Sequence, residues 1–275
     1  MVRKLTPLLL ALLLVAPALS AQRQIRLTVA FYNLENLFDT IDGENNDADF
    51  LPDGSNQWTM EKYQQKLHNM AYAISQIGGQ RGPDIIGLAE IENRGVLEDL
   101  LRQPELRDAG YQIVHFDSPD KRGIDCALFY RSSVFQMTSA EPHPVTLVGE
   151  EYIKTRDVLE VTGKLLGEPV SILVGHWPSR VGGEQASLRR RMQAAKVMRS
   201  VTDSLLQLNP QAKVILMGDF NDDPTSPSVV EGLRSKNSTE GLQPGELFNP
   251  LAKHYLSGRG TLAYRDVWNL FDNII

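Results

Sequence analysis

The chain has 275 residues, of which 42% are hydrophobic and 23% charged, with 21 glycines, 15 prolines and one cysteine. This is the composition of an ordinary globular protein, which excludes collagen-like, low-complexity and disordered chains. The 28 basic and 34 acidic residues give a formal net charge of −6, which excludes a histone-like protein that holds nucleic acid by overall positive charge.

The first twenty residues have the pattern of a secretory signal peptide. Arg3 and Lys4 precede an apolar run over residues 8–15, and proline and small residues follow. We expect residues 1–20 to be removed on export, which leaves one domain over residues 21–275 in a secreted or periplasmic protein. An uncleaved N-terminal anchor is the alternative. No later segment is a second candidate membrane span, so we expect no stable membrane insertion after signal removal.

Short apolar runs and two amphipathic stretches follow the predicted signal peptide. The stretch 58–77 ends at a glycine pair and the stretch 184–208 ends at Asn-Pro, so both predict helices. Strand groups with helices between or outside them predict one layered α/β domain without repeats or linkers. The apolar runs that predict β-strands are 25–32, 84–89, 127–130, 158–165, 170–174 and 214–217.

Polar side chains follow four of these strands, at the point where each strand ends. They are Asn33, Glu90, His176 and the pair Asp219 and Asn221. Carboxylate and amide oxygens held on rigid elements suit Mg²⁺ or Mn²⁺, and such a site leaves room for a phosphate oxygen. A single residue of this kind is more often a turn or structural residue, but the shared placement of all five predicts a site.

Four ordered motifs give the chain a strong resemblance to the endonuclease/exonuclease/phosphatase (DNase I-like) superfamily, in the form found in secreted bacterial nuclease-like members. The resemblance runs from about residue 25 to the end of the sequence. It implies a four-layered α/β sandwich, in which two packed mixed β-sheets are flanked by helices. The motifs are FYNLENLF (31–38), DIIGLAEIEN (84–93), HWPSR (176–180) and GDFND (218–222).

The resemblance implies a role for each of the five strand-end residues. Glu90 matches the metal-binding glutamate of the family, and Asn33 matches the asparagine that helps to order metal and phosphate. Asp219 matches an aspartate that orients or deprotonates the attacking water, and Asn221 matches an asparagine that contacts the phosphate. His176 matches a histidine that donates a hydrogen bond to a phosphate oxygen. Hydrolysis of an anionic phosphodiester needs such a cation and such donors.

Five further residues are candidates for the same site. Asp272 resembles the late catalytic aspartate of the family. Arg156 resembles a buried arginine that organises the acidic cluster, and it is a candidate to contact substrate; an ordinary surface charge is the alternative. Arg180 is either a phosphate clamp or a solvated loop charge. Trp177 is a candidate for stacking on a base or sugar. Glu92 is a second metal ligand, a partner for Arg180, or a hydrogen-bonding loop residue.

The C-terminal sequence departs from the pattern of the family. The resemblance implies a closing Asp-His segment after the strand that Asp272 begins, but the sequence stops at Ile275. His254 precedes Asp272 and cannot be that histidine in the order of the family. We therefore expect the domain to be incomplete at its C-terminus, with one or two strands and a catalytic histidine missing. If Ile275 is the true end, we expect greatly reduced activity.

These observations together predict a secreted, divalent-metal-dependent phosphodiester hydrolase. The first expectation is an extracellular endonuclease that acts on DNA or RNA with Mg²⁺, or with Mn²⁺. One alternative is a phosphatase or phosphodiesterase that acts on inositol phosphates or lipid head groups. The lipid version is weakened because the sequence shows no apolar hairpin suited to dip into a membrane. The other alternative is a catalytically inactive binding module on the same scaffold.

Overall fold

A computed structural model describes residues 25–79 and 81–275 of the chain. The predicted signal peptide, residues 1–20, lies outside the described residues, so its removal stays a prediction. Within the described part, no helix combines the length and the apolar character needed to cross a membrane.

The first of two large sheets comes from the N-terminal half of the chain. Its four strands lie in the order β1-β2-β4-β3, with β1 and β2 parallel and the other neighbours antiparallel. The parallel pair is buried, as its apolar sequence requires. The strands are β1 (Val29–Leu37), β2 (Ile85–Ile91), β3 (Tyr111–His115) and β4 (Asp125–Arg131).

Two helices cover the outer face of this sheet. Helix α1 (Met60–Gln76) begins after Thr59, whose hydroxyl accepts a hydrogen bond from the Lys62 backbone N–H, and α2 (Arg94–Leu101) begins after Asn93, which caps the Val96 N–H. Their apolar faces form one buried cluster with the sheet. The sequence predicts α1 within two residues at its start, but α2 was not predicted, because eight residues are too few to establish a helical period.

The second large sheet comes from the C-terminal half. Its strand order is β13-β8-β7-β6-β5, with β7 and β8 parallel and the remaining pairs antiparallel. Two small pairs stand apart from it, β9 with β10 and β11 with β12. The strands are β5 (Phe135–His143), β6 (Val158–Leu165), β7 (Glu168–His176), β8 (Lys213–Asp219), β9 (Ser235–Lys236), β10 (Leu247–Phe248), β11 (Leu262–Tyr264), β12 (Val267–Asn269) and β13 (Asp272–Ile274).

The described elements pack in four layers. The long helix α3 (Glu184–Leu208) covers the outer face of the second sheet, and a separate apolar cluster fills the space between the two sheets. A short helix, α4 (Ala252–Leu256), lies before β11. The predicted four-layered α/β sandwich of two mixed sheets flanked by helices is therefore confirmed. The expectation that further strands follow Ile275 stays a prediction.

The hairpin of β11 and β12 contradicts one expectation from the sequence. Four of its apolar or aromatic side chains are exposed, with relative accessibilities between 45% and 60%. No apolar hairpin was expected, because these residues are interleaved with charged ones and show no run long enough to stand out. The exposed side chains are Leu262, Tyr264, Val267 and Trp268.

Gly218 lies where two strands approach too closely for a side chain. It pairs with Gly175 across the parallel strands, and a Cβ atom at position 218 would lie 2.0 Å from the Gly175 carbonyl oxygen. We expect Gly218→Ala to lower the free energy of unfolding by about 1–3 kcal/mol, because the backbone of the two strands must move apart to make room for the added methyl group. It should also lower activity by displacing Asp219, the next residue. Urea unfolding monitored by circular dichroism tests this, and an unchanged midpoint would contradict it.

Candidate active site

The carboxyl ends of the parallel strands from both sheets meet at one edge of the sandwich. In the first sheet Asn33 pairs with Ala89, directly before Glu90, and in the second sheet His176 pairs with Asp219. Asp272, at the start of the antiparallel strand β13, is also opposite Asp219. The two sheets thus bring together residues that are up to 239 positions apart in the sequence, from Asn33 to Asp272.

Asp219 is the centre of this group. One of its carboxylate oxygens accepts a hydrogen bond from Asn33 Nδ2 at 3.0 Å, and the other accepts from the Asn221 backbone N–H at 2.9 Å. Burial, followed by the negative charges of Asp272 and Glu90, raises the pKa of Asp219 to about 7, although the two hydrogen bonds act in the opposite direction. The carboxylate is therefore held in one orientation close to two other carboxylates.

Glu90 reaches this group because β2 is irregular there. Its φ is 61°, and the pairing of β2 with β4 shifts register between Ala89 and Ile91. A bulge re-aims the side chain at a strand end, and here it places Glu90 Oε1 3.7 Å from His176 Nε2. Asn221 likewise has a positive φ, 51°, which asparagine tolerates better than most residues.

His176 is buried beside the carboxylates. Its Nε2 lies 3.7 Å from Glu90 and 3.9 Å from Asp219, which is beyond normal hydrogen-bond distance. Burial, followed by the positive charges of Arg156 and Arg122, lowers its pKa well below the ordinary value. The imidazole is therefore neutral near pH 7, and such a ring offers one N–H donor.

Arg156 supports the backbone beneath His176. Its Nε donates to the His176 carbonyl at 3.1 Å, one terminal nitrogen donates to the Trp177 carbonyl at 2.6 Å, and the other donates to Asp120 Oδ2 at 2.9 Å. The residue is 5% exposed, so the surface-charge interpretation is wrong. The prediction that Arg156 contacts substrate is also contradicted, because protein acceptors occupy its guanidinium.

Arg180 is neither the predicted phosphate clamp nor a solvated loop charge. Its Nε donates to the Asn221 carbonyl at 2.9 Å, and its terminal nitrogens bond Asp222, Asp223 and Glu184 at 2.9–3.2 Å. Its guanidinium also lies 4.5 Å from the centre of the Phe271 ring. These contacts fix the loop after β8, and they use the donors that a phosphate would need.

The substrate-stacking prediction for Trp177 is wrong. The indole is 1% exposed and stacks on Phe220, with ring centroids 4.1 Å apart. Its carbonyl does serve the site, because it accepts a hydrogen bond from Asn221 Nδ2 at 3.0 Å. Trp177 was assigned to the site only because it follows His176 in the sequence. The assignment fails because successive side chains of an extended segment point in opposite directions.

Glu92 serves as the hydrogen-bonding loop residue that was one of its three interpretations. One oxygen accepts from the Asp39 backbone N–H at 2.8 Å and the other from Asn45 Nδ2 at 3.5 Å. Burial raises its pKa to about 7. The bulge at Glu90 breaks the alternation on which the metal-ligand prediction for Glu92 depended. The predicted pairing with Arg180 is wrong, because Arg180 pairs with other carboxylates.

Two charged residues at the site were not predicted. Lys66, on α1, donates from Nζ to the Glu35 carbonyl at 2.5 Å, and burial lowers its pKa although Glu35 and Glu90 act in the opposite direction. Glu35 and Glu90 also help to raise the pKa of Asp272, for which burial is the larger cause. Glu35 lies within the FYNLENLF motif, but no spacing links it to a lysine 31 residues away.

The side chains present fit a hard divalent cation. The charges of Asp272 and Glu90 raise the pKa of Asp219, the charge of Glu90 helps to raise that of Asp272, and the amide of Asn33 accompanies these carboxylates. A cation would compensate this concentration of negative charge in a partly buried site. Two compact groups of histidine and carboxylate side chains lie elsewhere, at His115, Asp117 and Asp125 and at Glu141, His143 and Glu160.

Comparisons with known proteins agree with this architecture. Residues 28–275 match the sequence profile described as the Endonuclease/Exonuclease/phosphatase family. The catalytic domain of human Nocturnin with bound sulfate is similar, with 21% identity, a TM-score of 0.53, and coverage of 78% of this chain and 74% of that one. TDP2 from C. elegans has 13% identity, a TM-score of 0.56, and coverage of 90% and 63%.

A bacterial structure gives a further comparison. An endonuclease/exonuclease/phosphatase family protein from Bacteroides thetaiotaomicron has 18% identity, a TM-score of 0.55, and coverage of 90% of this chain and 82% of that chain. At these identities the solved structures support the fold alone. No curated protein matches the chain.

Proposed function

This chain belongs to the endonuclease/exonuclease/phosphatase family, and on that premise we propose that it hydrolyses phosphodiester bonds in nucleic acid with the help of a divalent cation. The observation that carries this proposal is the convergence of Asn33, Glu90, His176 and Asp219 at the ends of four strands in two sheets. The family consists of hydrolases that act on phosphate esters; the substrate and the metal are the proposed parts.

Glu90 and Asn33 would hold the cation, and the nearby Asp272 would contribute further negative charge. Mg²⁺, or Mn²⁺ in its place, would neutralise a phosphate oxygen and stabilise the oxygen that leaves. Because rigid strand ends hold these side chains in place, they need to move little when the substrate binds.

The remaining residues act on the water and on the phosphate. Asp219, fixed by two donors, can orient the attacking water and accept its proton. The neutral imidazole of His176 can donate a hydrogen bond to a phosphate oxygen as charge builds there. Asn221, whose amide is oriented by the Trp177 carbonyl, lies next to Asp219 to contact the phosphate. Arg156 positions His176 through its backbone rather than touching substrate.

We expect cation binding to be visible without turnover. At a hundred times its dissociation constant, Mg²⁺ should stabilise the protein by about 2.7 kcal/mol, which raises the midpoint of thermal unfolding by several degrees. Glu90→Gln should reduce that shift strongly, whereas Glu98→Gln, on an exposed part of α2, should keep it. Differential scanning fluorimetry with and without EDTA measures the effect. An equal shift in both variants would contradict Glu90 as a ligand.

Export remains part of the proposal. A predicted signal peptide over residues 1–20 would deliver the enzyme to the periplasm or the exterior, where an endonuclease acts on free DNA or RNA. N-terminal sequencing of protein recovered from periplasmic and culture fractions tests this. A mature chain that begins near residue 21 supports export, and an intact N-terminus in the cytoplasm contradicts it.

One observation favours the lipid version of the alternative function. The exposed apolar side chains of the β11–β12 hairpin, among them Tyr264 and Trp268, could contact a membrane surface, and Asp272 follows the hairpin closely. Sedimentation with phosphatidylcholine vesicles separates the two functions. Vesicle binding that Trp268→Ser abolishes would favour hydrolysis of lipid head groups. If the protein is instead an inactive binding module, no metal-dependent turnover of any substrate should be measurable in the wild type or in the site variants.

A further inference from the structure

A basic cleft lies against the segment that follows His176. Its volume is about 530 Å³, within the range of pockets that hold small ligands. Pro178 and Ser179 form part of its wall, so the cleft begins two residues from the catalytic histidine. We define the basic cleft by its charged lining residues, which are Asp120, Lys121, Arg122, Lys154, Arg156 and Arg190.

The lining is strongly positive in a protein of net charge −6. Five of its residues are basic and one is acidic. The acidic residue, Asp120, is already engaged, because Arg156 donates to one of its oxygens at 2.9 Å and the Arg122 backbone N–H donates to the other at 2.9 Å. Arg190 is neutralised by Glu150 through hydrogen bonds of 2.6 and 2.9 Å.

Three cations of the basic cleft are available to a ligand. Within the described part of the chain, Lys121 and Lys154 form no ion pair, and both are exposed. The Arg122 side chain is 50% exposed, and its Nε is 3.7 Å from Asp120, too far for a hydrogen bond. Thr155, in the floor, has a buried hydroxyl without a hydrogen-bond partner among the described residues. Cations and free donors of this kind suit an anion.

The basic cleft is connected to the catalytic group through Arg156. Arg156 lines the cleft and also bonds the carbonyls of His176 and Trp177. A substrate that extends from the reacting phosphate past Pro178 would therefore enter the basic cleft.

We propose that the basic cleft binds a second phosphate group of the substrate, one that is not hydrolysed, through Lys121, Arg122 and Lys154. This inference rests on the proposed function, because it assigns a second subsite to the same reaction. The substrate is then an anion with at least two phosphates. A polynucleotide backbone supplies such a group, and so does an inositol polyphosphate.

The test measures binding in EDTA, so that no substrate is turned over. The variant Lys121→Gln/Lys154→Gln is compared with the wild type by fluorescence anisotropy of labelled dT12 over a range of salt concentrations. The matched control, Lys164→Gln/Lys213→Gln, removes the same charge at the ends of β6 and β8 that are remote from His176. Inositol hexakisphosphate is used as a competitor on each protein.

We expect the variant to bind dT12 about ten-fold more weakly at low salt, with the slope of log K against log salt reduced by about 0.7, because the neutralisation of one phosphate of a single strand is lost. The control should keep the wild-type slope. If only the affinity for dT12 falls in the variant, the second phosphate comes from a polynucleotide. If only the affinity for inositol hexakisphosphate falls, it comes from an inositol polyphosphate. Unchanged affinity and slope for both probes would overturn the proposal.

Turnover is measured separately, as Mg²⁺-dependent hydrolysis of bis(4-nitrophenyl) phosphate, which has a single phosphate. Absence of turnover in the wild type would contradict the proposed function without affecting the binding result. If the wild type is active, the double variant should have about a ten-fold lower kcat/KM for dT12, whereas its kcat/KM for bis(4-nitrophenyl) phosphate should stay unchanged. The loss should appear mainly as a higher KM, because the lost contact acts on substrate binding and is not specific to the transition state.

Discussion

Replacing Asp219 with alanine is expected to reduce the kcat for phosphodiester hydrolysis by about a thousand-fold, equivalent to about 4 kcal/mol of transition-state stabilisation. Asn33 and the Asn221 backbone hold this carboxylate in one orientation, and alanine offers no group that orients a water or accepts its proton. Loss of one buried carboxylate from a crowded acidic group should not unfold the protein. Steady-state kinetics with Mg²⁺, alongside circular dichroism, measures both effects.

The control for this variant is Asp108→Ala. Its side chain is 90% exposed, and it should leave kcat within about two-fold of the wild type because surface substitutions have small effects. His176→Ala should resemble Asp219→Ala, because the imidazole lies within 4 Å of the same carboxylates. Turnover near the wild-type value in either site variant would contradict the role assigned to that residue.

Replacing Arg156 with alanine is expected to lower the free energy of unfolding by about 3–5 kcal/mol, because the buried Asp120 carboxylate loses its nearest cation. The His176 and Trp177 carbonyls also lose their donors. Arg156→Lys keeps the charge but not the planar fork, so it should recover part of the stability and little of the activity. Urea unfolding monitored by tryptophan fluorescence, together with kinetics, measures these effects.

The matched control is Arg189→Ala. Arg189 is exposed and bonds only the Val148 carbonyl among the described contacts, so its removal should change stability by less than about 0.5 kcal/mol. If Arg156→Ala were no less stable than this control, the account of Arg156 as the support of the His176 backbone would be wrong.

The sequence predicted the central elements of the fold because their patterns are long and regular. All six predicted strands correspond to strands of the two large sheets, and both predicted helices are present. The strands that were not predicted are short or exposed. β5 carries polar residues at most positions, and β9 to β13 have two or three residues each, too few for alternation to be recognised.

Site residues were predictable from the sequence where they directly follow an apolar strand. Asn33, Glu90, His176 and Asp219 follow apolar strands directly, so the sheet topology determines where they lie. Trp177 and Arg180 were assigned from sequence proximity to His176, but three-dimensional packing gave them structural roles. The place of Arg122 in the lining of the basic cleft depends on how the loop before β4 folds, which no local pattern encodes.

The strand-end residues are proposed to form a metal-dependent phosphodiesterase site. The most direct test of this site measures hydrolysis of four substrates in parallel: plasmid DNA, RNA, inositol hexakisphosphate and bis(4-nitrophenyl) phosphate. Each substrate is incubated with Mg²⁺, with Mn²⁺ and with EDTA. Both the protein that ends at Ile275 and any longer natural form are assayed. We predict cleavage of nucleic acid that EDTA abolishes and that added Mg²⁺ or Mn²⁺ restores. Cleavage that persists in EDTA, or no cleavage of any substrate by any form, would contradict the claim.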